Sequence, residues 1–329
     1  MKTIAVLTSG GDSPGMNAAV RAVVRSACEE GMRVLGIRRG YTGLINGDMY
    51  EMNIRSVSNI IQRGGTILYS ARCPEFKTEE GINKAVESCR ANGIEGLVVI
   101  GGDGSFRGAR DLSLKGIPCV GLPGTIDNDI SCCDYTIGYD TALSTIMDMV
   151  DRLRDTTESH DRCSVVEVMG RRAGYLALNG GIAVGATSIL LPEMDFDITR
   201  DVIDRMKRTM ATGKRHFIVI VAEGAVDRLK EQGIEDSVAL SKYIQAQTGV
   251  ESRTTILGHV QRGGSPTAKD RIVASQMGYY AVQLLKQGIG NRIVGMQKEQ
   301  IVNYDIYEAL NMKKSLDLEI YKIAMDISI

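Results

Sequence analysis

The chain has 329 residues, a length that suits two α/β cores better than one. Its 39 Lys and Arg face 40 Asp and Glu, for a formal charge of -1, and no basic run offers a nucleic-acid-binding face. The 7 cysteines, at 28, 73, 89, 119, 132, 133 and 163, are odd in number and lack CxxC spacing, which favours thiols in a reducing compartment over disulfides or zinc. The first apolar run is too short for a signal segment, and no stretch approaches a membrane span. The expectation is a soluble, cytoplasmic protein that binds neither nucleic acid nor membrane.

Short apolar runs alternate with helical periodicity, which predicts a mainly parallel sheet with helices on both faces. A strand over 4–7 leads to a helix over 17–30 with Ala18, Ala19, Ala22, Val23 and Ala27 as its apolar stripe, and Gly31 stands where a helix-ending glycine belongs. A strand over 34–37, a helix over 81–91 and strands over 96–100 and 119–122 follow, then a long helix over 141–154. The pattern starts afresh with strands over 164–169, 188–191, 216–222 and 254–257, and helices over 172–179, 199–211, 237–248 and 275–287. A boundary is expected near Gly138, with no low-complexity linker.

Two glycine loops and one carboxylate loop stand out at strand ends. Thr8-Ser9-Gly10-Gly11-Asp12-Ser13-Pro14-Gly15 separates the first strand from the first helix, where glycines let the backbone approach a phosphate and free N–H groups favour its charge. Gly102-Asp103-Gly104-Ser105-Phe106-Arg107-Gly108 makes a second such loop, but Arg107 stands where a dinucleotide fingerprint needs glycine. No Walker A motif occurs, since Gly213-Lys214 is followed by Arg215. Asp103 is suited either to a magnesium ion that also touches phosphate or to a plain helix cap. Pro123-Gly124-Thr125-Ile126-Asp127-Asn128-Asp129 ends another apolar run; if extended, it puts Asp127 and Asp129 on one side, one to take a proton and the other to support it. A solvated turn is the simpler alternative for either carboxylate alone.

Arg72, Arg171 and Arg262 all lie beside glycine or proline in loops, and guanidinium forks match phosphate oxygens. His259 shares a turn with Arg262 and could donate to a phosphate, and Glu223 follows a strand where it could accept from sugar hydroxyls.

These residues fall in ordered blocks: LTSGGDSPGMNAA at 7–19, IGGDGS at 100–105, LPGTIDNDI at 122–130, VVEVMGR at 165–171 and LGHVQRGGSP at 257–266. Together they closely resemble the bacterial ATP-dependent phosphofructokinase family over essentially the whole chain. The resemblance implies two Rossmann-like three-layer lobes with the active site in the cleft, one lobe from 1–138 plus 257–304 and the other from 139–256 plus 305–329. It implies transfer of the γ-phosphoryl group of magnesium-ATP to the 1-hydroxyl of fructose 6-phosphate, giving fructose 1,6-bisphosphate in glycolysis.

By this resemblance Asp127 is the base and Asp103 organises Mg2+. Gly11, Arg72, Cys73, Gly102, Gly104, Ser105 and Gly108 would lie along ATP. Arg72, Arg171, Thr125 and Gly11 would support the transfer. The sugar phosphate would meet Thr125, Asp127, Asp129, Met169, Gly170, Arg171, Glu223, His259 and Arg262. The residues matching Arg162 and Arg253 reach a neighbouring subunit's site in the family, which implies a homotetramer. Relatives that use pyrophosphate tend to carry Asp in place of Gly104 and Lys in place of Gly124, so ATP is the expected donor. Arg21, Arg25, Arg154, Gly185, Lys214 and His216 stand where the family binds ADP or phosphoenolpyruvate as effectors. Ile54, Thr187 and Thr212 replace a common arginine, glutamate and lysine there, so a weakened or altered effector response is expected. An NAD-dependent oxidoreductase is disfavoured by Arg107, and a non-catalytic sugar-phosphate sensor would need neither Asp103 nor Asp127.

Overall fold

Thr3–Thr8 (β1) is buried along nearly its whole length, as a parallel strand covered on both faces must be. The computed structural model describes residues 1–328 and divides into two units: Met1–Thr141 with Arg262–Lys314, and Ala142–Gln261 with the residues from Ser315 on. After β1 the first unit runs α1 (Met16–Glu29), β2 (Arg33–Ile37), α2 (Gly40–Asn46), β3 (Met49–Met52), α3 (Glu79–Ala91), β4 (Gly96–Gly101), α4 (Asp103–Leu114) and β5 (Cys119–Pro123). Helix α5 (Tyr139–Ser159) carries the chain into the second unit. There follow β6 (Cys163–Val168), α6 (Tyr175–Ala183), β7 (Ser188–Leu190), α7 (Asp204–Ala211), β8 (Phe217–Ala222), α8 (Val226–Glu231), α9 (Ser237–Thr248) and β9 (Ser252–Ile256). The chain returns to the first unit for α10 (Ala268–Lys286), β10 (Arg292–Gln297), β11 (Gln300–Asp305) and α11 (Ile306–Asn311), and α12 (Leu318–Ile327) belongs to the second.

Among the described residues the first sheet has the order β11-β10-β5-β4-β1-β2-β3 and the second β7-β8-β6-β9. Only β3 and β11 run antiparallel to their neighbours, so the α/β, mainly parallel expectation holds. Leu7, Leu97, Val99, Phe106 and Cys119 belong to the core of the first unit, and Val165, Leu178, Ile189 and Ile220 are buried in the second.

Three expectations are corrected. Residues 305–314 lie with the first unit, because Ile306 and Ala309 on α11 are buried in its core. The segment 102–108 is no loop: α4 begins at Asp103, with Ser105 and Phe106 donating back to Gly102 O. The helix expected over 199–211 opens with a wider π turn, Thr199–Ile203, before α7. All seven cysteines are free.

Candidate active site

Strands β1, β4 and β5 are neighbours, and the order passes from β2 on one side of β1 to β4 on the other. At such a switch point the carboxyl ends of parallel strands open a crevice. The backbone locks the loops there in place: Ser9 N–H donates to Ile100 O at 2.9 Å and Gly124 N–H to Gly101 O at 3.0 Å. The segment before Arg72 is sewn to the same edge by Thr8 Oγ1 donating to Tyr69 O at 2.8 Å and Ser70 Oγ donating to Gly10 O at 2.6 Å. Arg72 itself is exposed, and Cys73 is half-buried beside it.

The glycines of these loops have different reasons. A Cβ on Gly11 would lie 2.5 Å from Nη1 of Arg262, whose guanidinium also donates to Asp12 O at 3.1 Å. A Cβ on Gly104 would meet nothing within 4 Å and one on Gly102 only Thr125, which leaves open space over the first turn of α4. Gly108 has a packing reason instead, because a Cβ there would meet the Tyr41 ring at 2.7 Å. Tyr41 in turn donates to Ser105 O at 2.6 Å.

Asp103, on the first turn of α4, is half-exposed and pairs with Arg107 one turn on, 2.9 Å away. Free N–H groups at that helix start and the open approach at Gly104 suit an anion, with a carboxylate alongside for its cation.

After β5 the chain does not stay extended. Asn128 is left-handed (φ 52°), so Asp127 and Asp129 do not share a side by strand alternation. Asp127 is 3% exposed whereas Asp129 is exposed, so the two carboxylates have different surroundings. Thr125 Oγ1 accepts from Asp127 N–H at 3.2 Å, and Thr125 O accepts from Thr136 Oγ1 at 2.6 Å. The rest of this segment is held by Asp270, which is fully buried on α10. It accepts from Tyr135 Oη at 2.6 Å, Gly138 N–H at 2.7 Å, and Thr141 N–H and Oγ1 at 2.9 and 2.5 Å. Burial raises its carboxyl above the ordinary range, against the pull of those donors. Asp270 is absent from the sequence-based set; its only local signal is a capping pattern, Thr267 Oγ1 accepting from its N–H.

In the second unit, Met169, Gly170 and Arg171 follow directly after β6. Arg171 is left-handed (φ 55°) and exposed, and its N–H donates to the Glu223 carboxylate. Gly224 admits the Arg171 carbonyl where a Cβ would collide with it. Buried Gln261 ties this loop to the turn after β9: Oε1 accepts from Met169 N–H at 3.2 Å and Nε2 donates to Gly258 O at 3.0 Å. Gln261 lies inside the quoted block at 257–266 and was missed. His259 is exposed in the same turn. Arg162 and Arg253 converge on one carboxylate, Glu251, at 3.0 and 2.5 Å. Those two guanidiniums hold the Glu251 carboxyl below its ordinary range.

Of the residues expected at an effector site, Arg21 and Arg25 lie on α1 in the first unit. Arg154, Gly185, Lys214 and His216 belong to the second. Arg154 donates to Val184 O, next to Gly185. Burial lowers the Lys214 ammonium, and Arg154 lowers it further. Lys214 and Gly185 line a cavity of about 180 Å³ with Ala324, Ile327 and Ser328 of the C-terminal segment. Thr187 is buried, with its carbonyl accepting from Arg205 Nε at 2.6 Å, whereas Ile54 is exposed and Thr212 ends α7.

Comparison with known proteins places the chain in a family. The sequence model of the family described as Phosphofructokinase matches residues 3–285. ATP-dependent 6-phosphofructokinases from Halothermothrix orenii and Bacillus pumilus are 56% and 54% identical, each over the full length of both chains. The solved phosphofructokinase of Saccharomyces cerevisiae superposes with a TM-score of 0.87 at 37% identity, covering all of this chain and 48% of the yeast chain. A pyrophosphate-dependent phosphofructokinase from Marinobacter aquaeolei reaches a TM-score of 0.85 over 97% of this chain and 86% of its own, at 22% identity, which speaks for the fold alone. No helix among the described residues is long and apolar enough to cross a membrane. With a family match over most of its length, full-length relatives above half identity and the glycine and aspartate loops gathered at its strand ends, the chain belongs to the phosphofructokinase family.

Proposed function

We propose that the chain is an ATP-dependent 6-phosphofructokinase, a phosphotransferase that moves the γ-phosphoryl group of ATP to the 1-hydroxyl of fructose 6-phosphate. The observation that carries this reading is the buried Asp127 at the end of β5, next in the sheet to the glycine-lined ends of β1 and β4. Phosphoryl transfer asks a protein mainly for positioning and charge neutralisation, and this chain is equipped for both. Asp127 takes the proton of the attacking hydroxyl, with Thr125 fixing the start of its turn and Asp129 reaching the sugar phosphate. Arg72 and Arg171 neutralise the transferring group. Met169, Gly170, Glu223, His259 and Arg262 hold the sugar phosphate, while Gly11, Cys73, Gly102, Asp103, Gly104, Ser105 and Gly108 border the nucleotide.

The donor set fits magnesium carried in by the nucleotide. Asp103 offers one exposed carboxylate, and no group of three His, Cys, Asp or Glu gathers for a metal among the described residues. Magnesium commonly binds through one or two carboxylates plus substrate phosphates, and it would neutralise phosphate charge there. Two glycines support ATP as the donor. The space at Gly104 is open for a nucleotide, whereas a side chain on Gly124 would press on Ile100 and Met16 at 3.1 Å.

The reading extends to a cytoplasmic homotetramer in which Arg162 and Arg253 serve a neighbouring copy. ADP or phosphoenolpyruvate would act at Arg21, Arg25, Arg154, Gly185, Lys214 and His216, and Thr187 in place of an acid weakens the response to ADP. A steep fructose 6-phosphate curve made hyperbolic by ADP would overturn that last point.

The test is formation of fructose 1,6-bisphosphate from fructose 6-phosphate with magnesium-ATP or with magnesium-pyrophosphate, with Asp127→Ser in parallel. Turnover with ATP alone, lost in the variant, is expected. Turnover with pyrophosphate overturns the choice of donor, and none with either overturns the catalytic reading.

A further inference from the structure

The left-handed bend at Asn128 decides where the neighbouring carboxylates point, and two ties hold it. Asn128 Nδ2 donates to Asp134 O at 3.1 Å. Asp134 is itself anchored to the β10–β11 hairpin, through Asp134 N–H to Met296 O at 2.8 Å and Lys298 N–H to Asp134 Oδ2 at 2.9 Å. The second tie comes from the far end of the sequence: Lys314 Nζ donates to Asn128 O at 2.7 Å. Lys314 is half-buried, and it is the last residue of the first unit before the chain leaves it.

We infer that Lys314 is a positioning residue for the reaction, its ammonium clamping the Asn128 carbonyl so that Asp127 and Asp129 keep their aim. The inference rests on the reading of Asp127 as the base. A charge-assisted bond to a carbonyl is short and strong, and it is made here to the Asn128–Asp129 peptide, which lies between the two carboxylates. Burial pulls the Lys314 ammonium below its ordinary range, and the nearby Asp134 and Asp129 carboxylates oppose that shift. A cation beside this turn also offsets the repulsion of gathering Asp127, Asp129 and a sugar phosphate. Nothing in the local sequence marks it, because 186 residues separate the two partners.

The test compares Lys314→Met, near-isosteric but uncharged, with Lys314→Gln, Lys314→Arg and Asp127→Ser. Misplacing a catalytic group by about 1 Å costs on the order of a hundredfold in rate. Lys314→Met is therefore expected to lose about ten- to a hundredfold in kcat with little change in KM for ATP. Lys314→Arg should recover most of that loss, and Lys314→Gln should fall between. If Lys314→Met does not fold, the Gln variant carries the comparison. Wild-type kcat in the uncharged variants, or no recovery in Lys314→Arg with the fold intact, overturns the inference while an inactive Asp127→Ser leaves the base reading standing. An active Asp127→Ser overturns the base reading and takes this inference with it.

Discussion

The guanidinium of Arg262 lies across the α-carbon of Gly11, so close that a single methyl group at Gly11 would fall 2.5 Å from Nη1. The two are 251 residues apart, and the resemblance assigns one to the nucleotide and the other to the sugar phosphate. Their contact makes the glycine a condition for the arginine's position. Gly11→Ala is expected to raise KM for fructose 6-phosphate about tenfold, equivalent to roughly 1.4 kcal/mol, as the guanidinium is pushed from its seat. The neighbour is the far end of a flexible side chain, so thermal stability should hardly change. An unchanged KM for fructose 6-phosphate in steady-state assays would show that Arg262 binds from another position.

Asp270 satisfies four donors of the 135–141 segment and touches none of the proposed substrate groups. Truncation in Asp270→Ala leaves two backbone N–H groups and two hydroxyls without their buried acceptor. The expected loss is on the order of 4 kcal/mol, measured as a shift in urea midpoint. Burial raises the native carboxyl's pKa, so the native state holds its proton to higher pH than the unfolded chain. The stabilising share of that titration is whole on the acid side and lost as pH rises through the raised value. Against the non-titrating Asp270→Asn, the advantage of the wild type should therefore narrow as pH climbs out of the ordinary carboxylate range.

Arg107 competes with any cation for Asp103. An exposed pair one helical turn apart is worth about 0.3–0.5 kcal/mol, so Arg107→Gln should leave stability nearly unchanged. It should lower the magnesium concentration for half-maximal turnover about twofold, the same free energy read as affinity. A rise in the magnesium requirement would place Arg107, rather than Asp103, against the metal-bound phosphates.

The cysteines provide a label for the nucleotide region. Cys28 and Cys73 are part-exposed and the other five are buried, with burial pushing Cys89 and Cys163 up to about 12. Native protein treated with iodoacetamide near neutral pH should carry label at Cys28 and Cys73 alone, as read by peptide mass spectrometry. Magnesium-ATP should slow labelling at Cys73 but not at Cys28. Equal protection of both would move the nucleotide away from the Arg72 segment.

Strands β1, β4, β5, β6 and β8 were legible within a residue or so at their ends because they are buried apolar runs beside glycine turns. The β10–β11 hairpin was not, because Lys298 and Glu299 make its tight turn with positive φ (48° and 62°) where Asn-Gly would have announced it. Helix α2 was hidden by its own glycines, one of which, Gly43, leaves room for the Arg38 carbonyl that a Cβ would strike. The glycine pattern at 102–108 read as a loop although only Gly102 and Gly104 face open space. At the site, glycines and aspartates at strand ends were visible locally. The loop arginines were readable as phosphate partners, but which ligand each serves came only through the family resemblance, and Asp270, Gln261 and Lys314 act through partners too distant in sequence for spacing to reveal.

The first unit takes its residues from two separate stretches, 1–141 and 262–314, and β5 gains its neighbour β10 only through Arg292 and Ile293. On the ribosome, that edge of β5 must wait, exposed, while the 120 residues of 142–261 are made. The second unit's sheet is contiguous and can pair its strands first. The sheet that starts earliest is thus completed later, and a chain halted near residue 261 carries an unfinished sheet whose open edge invites a chaperone or a second nascent copy.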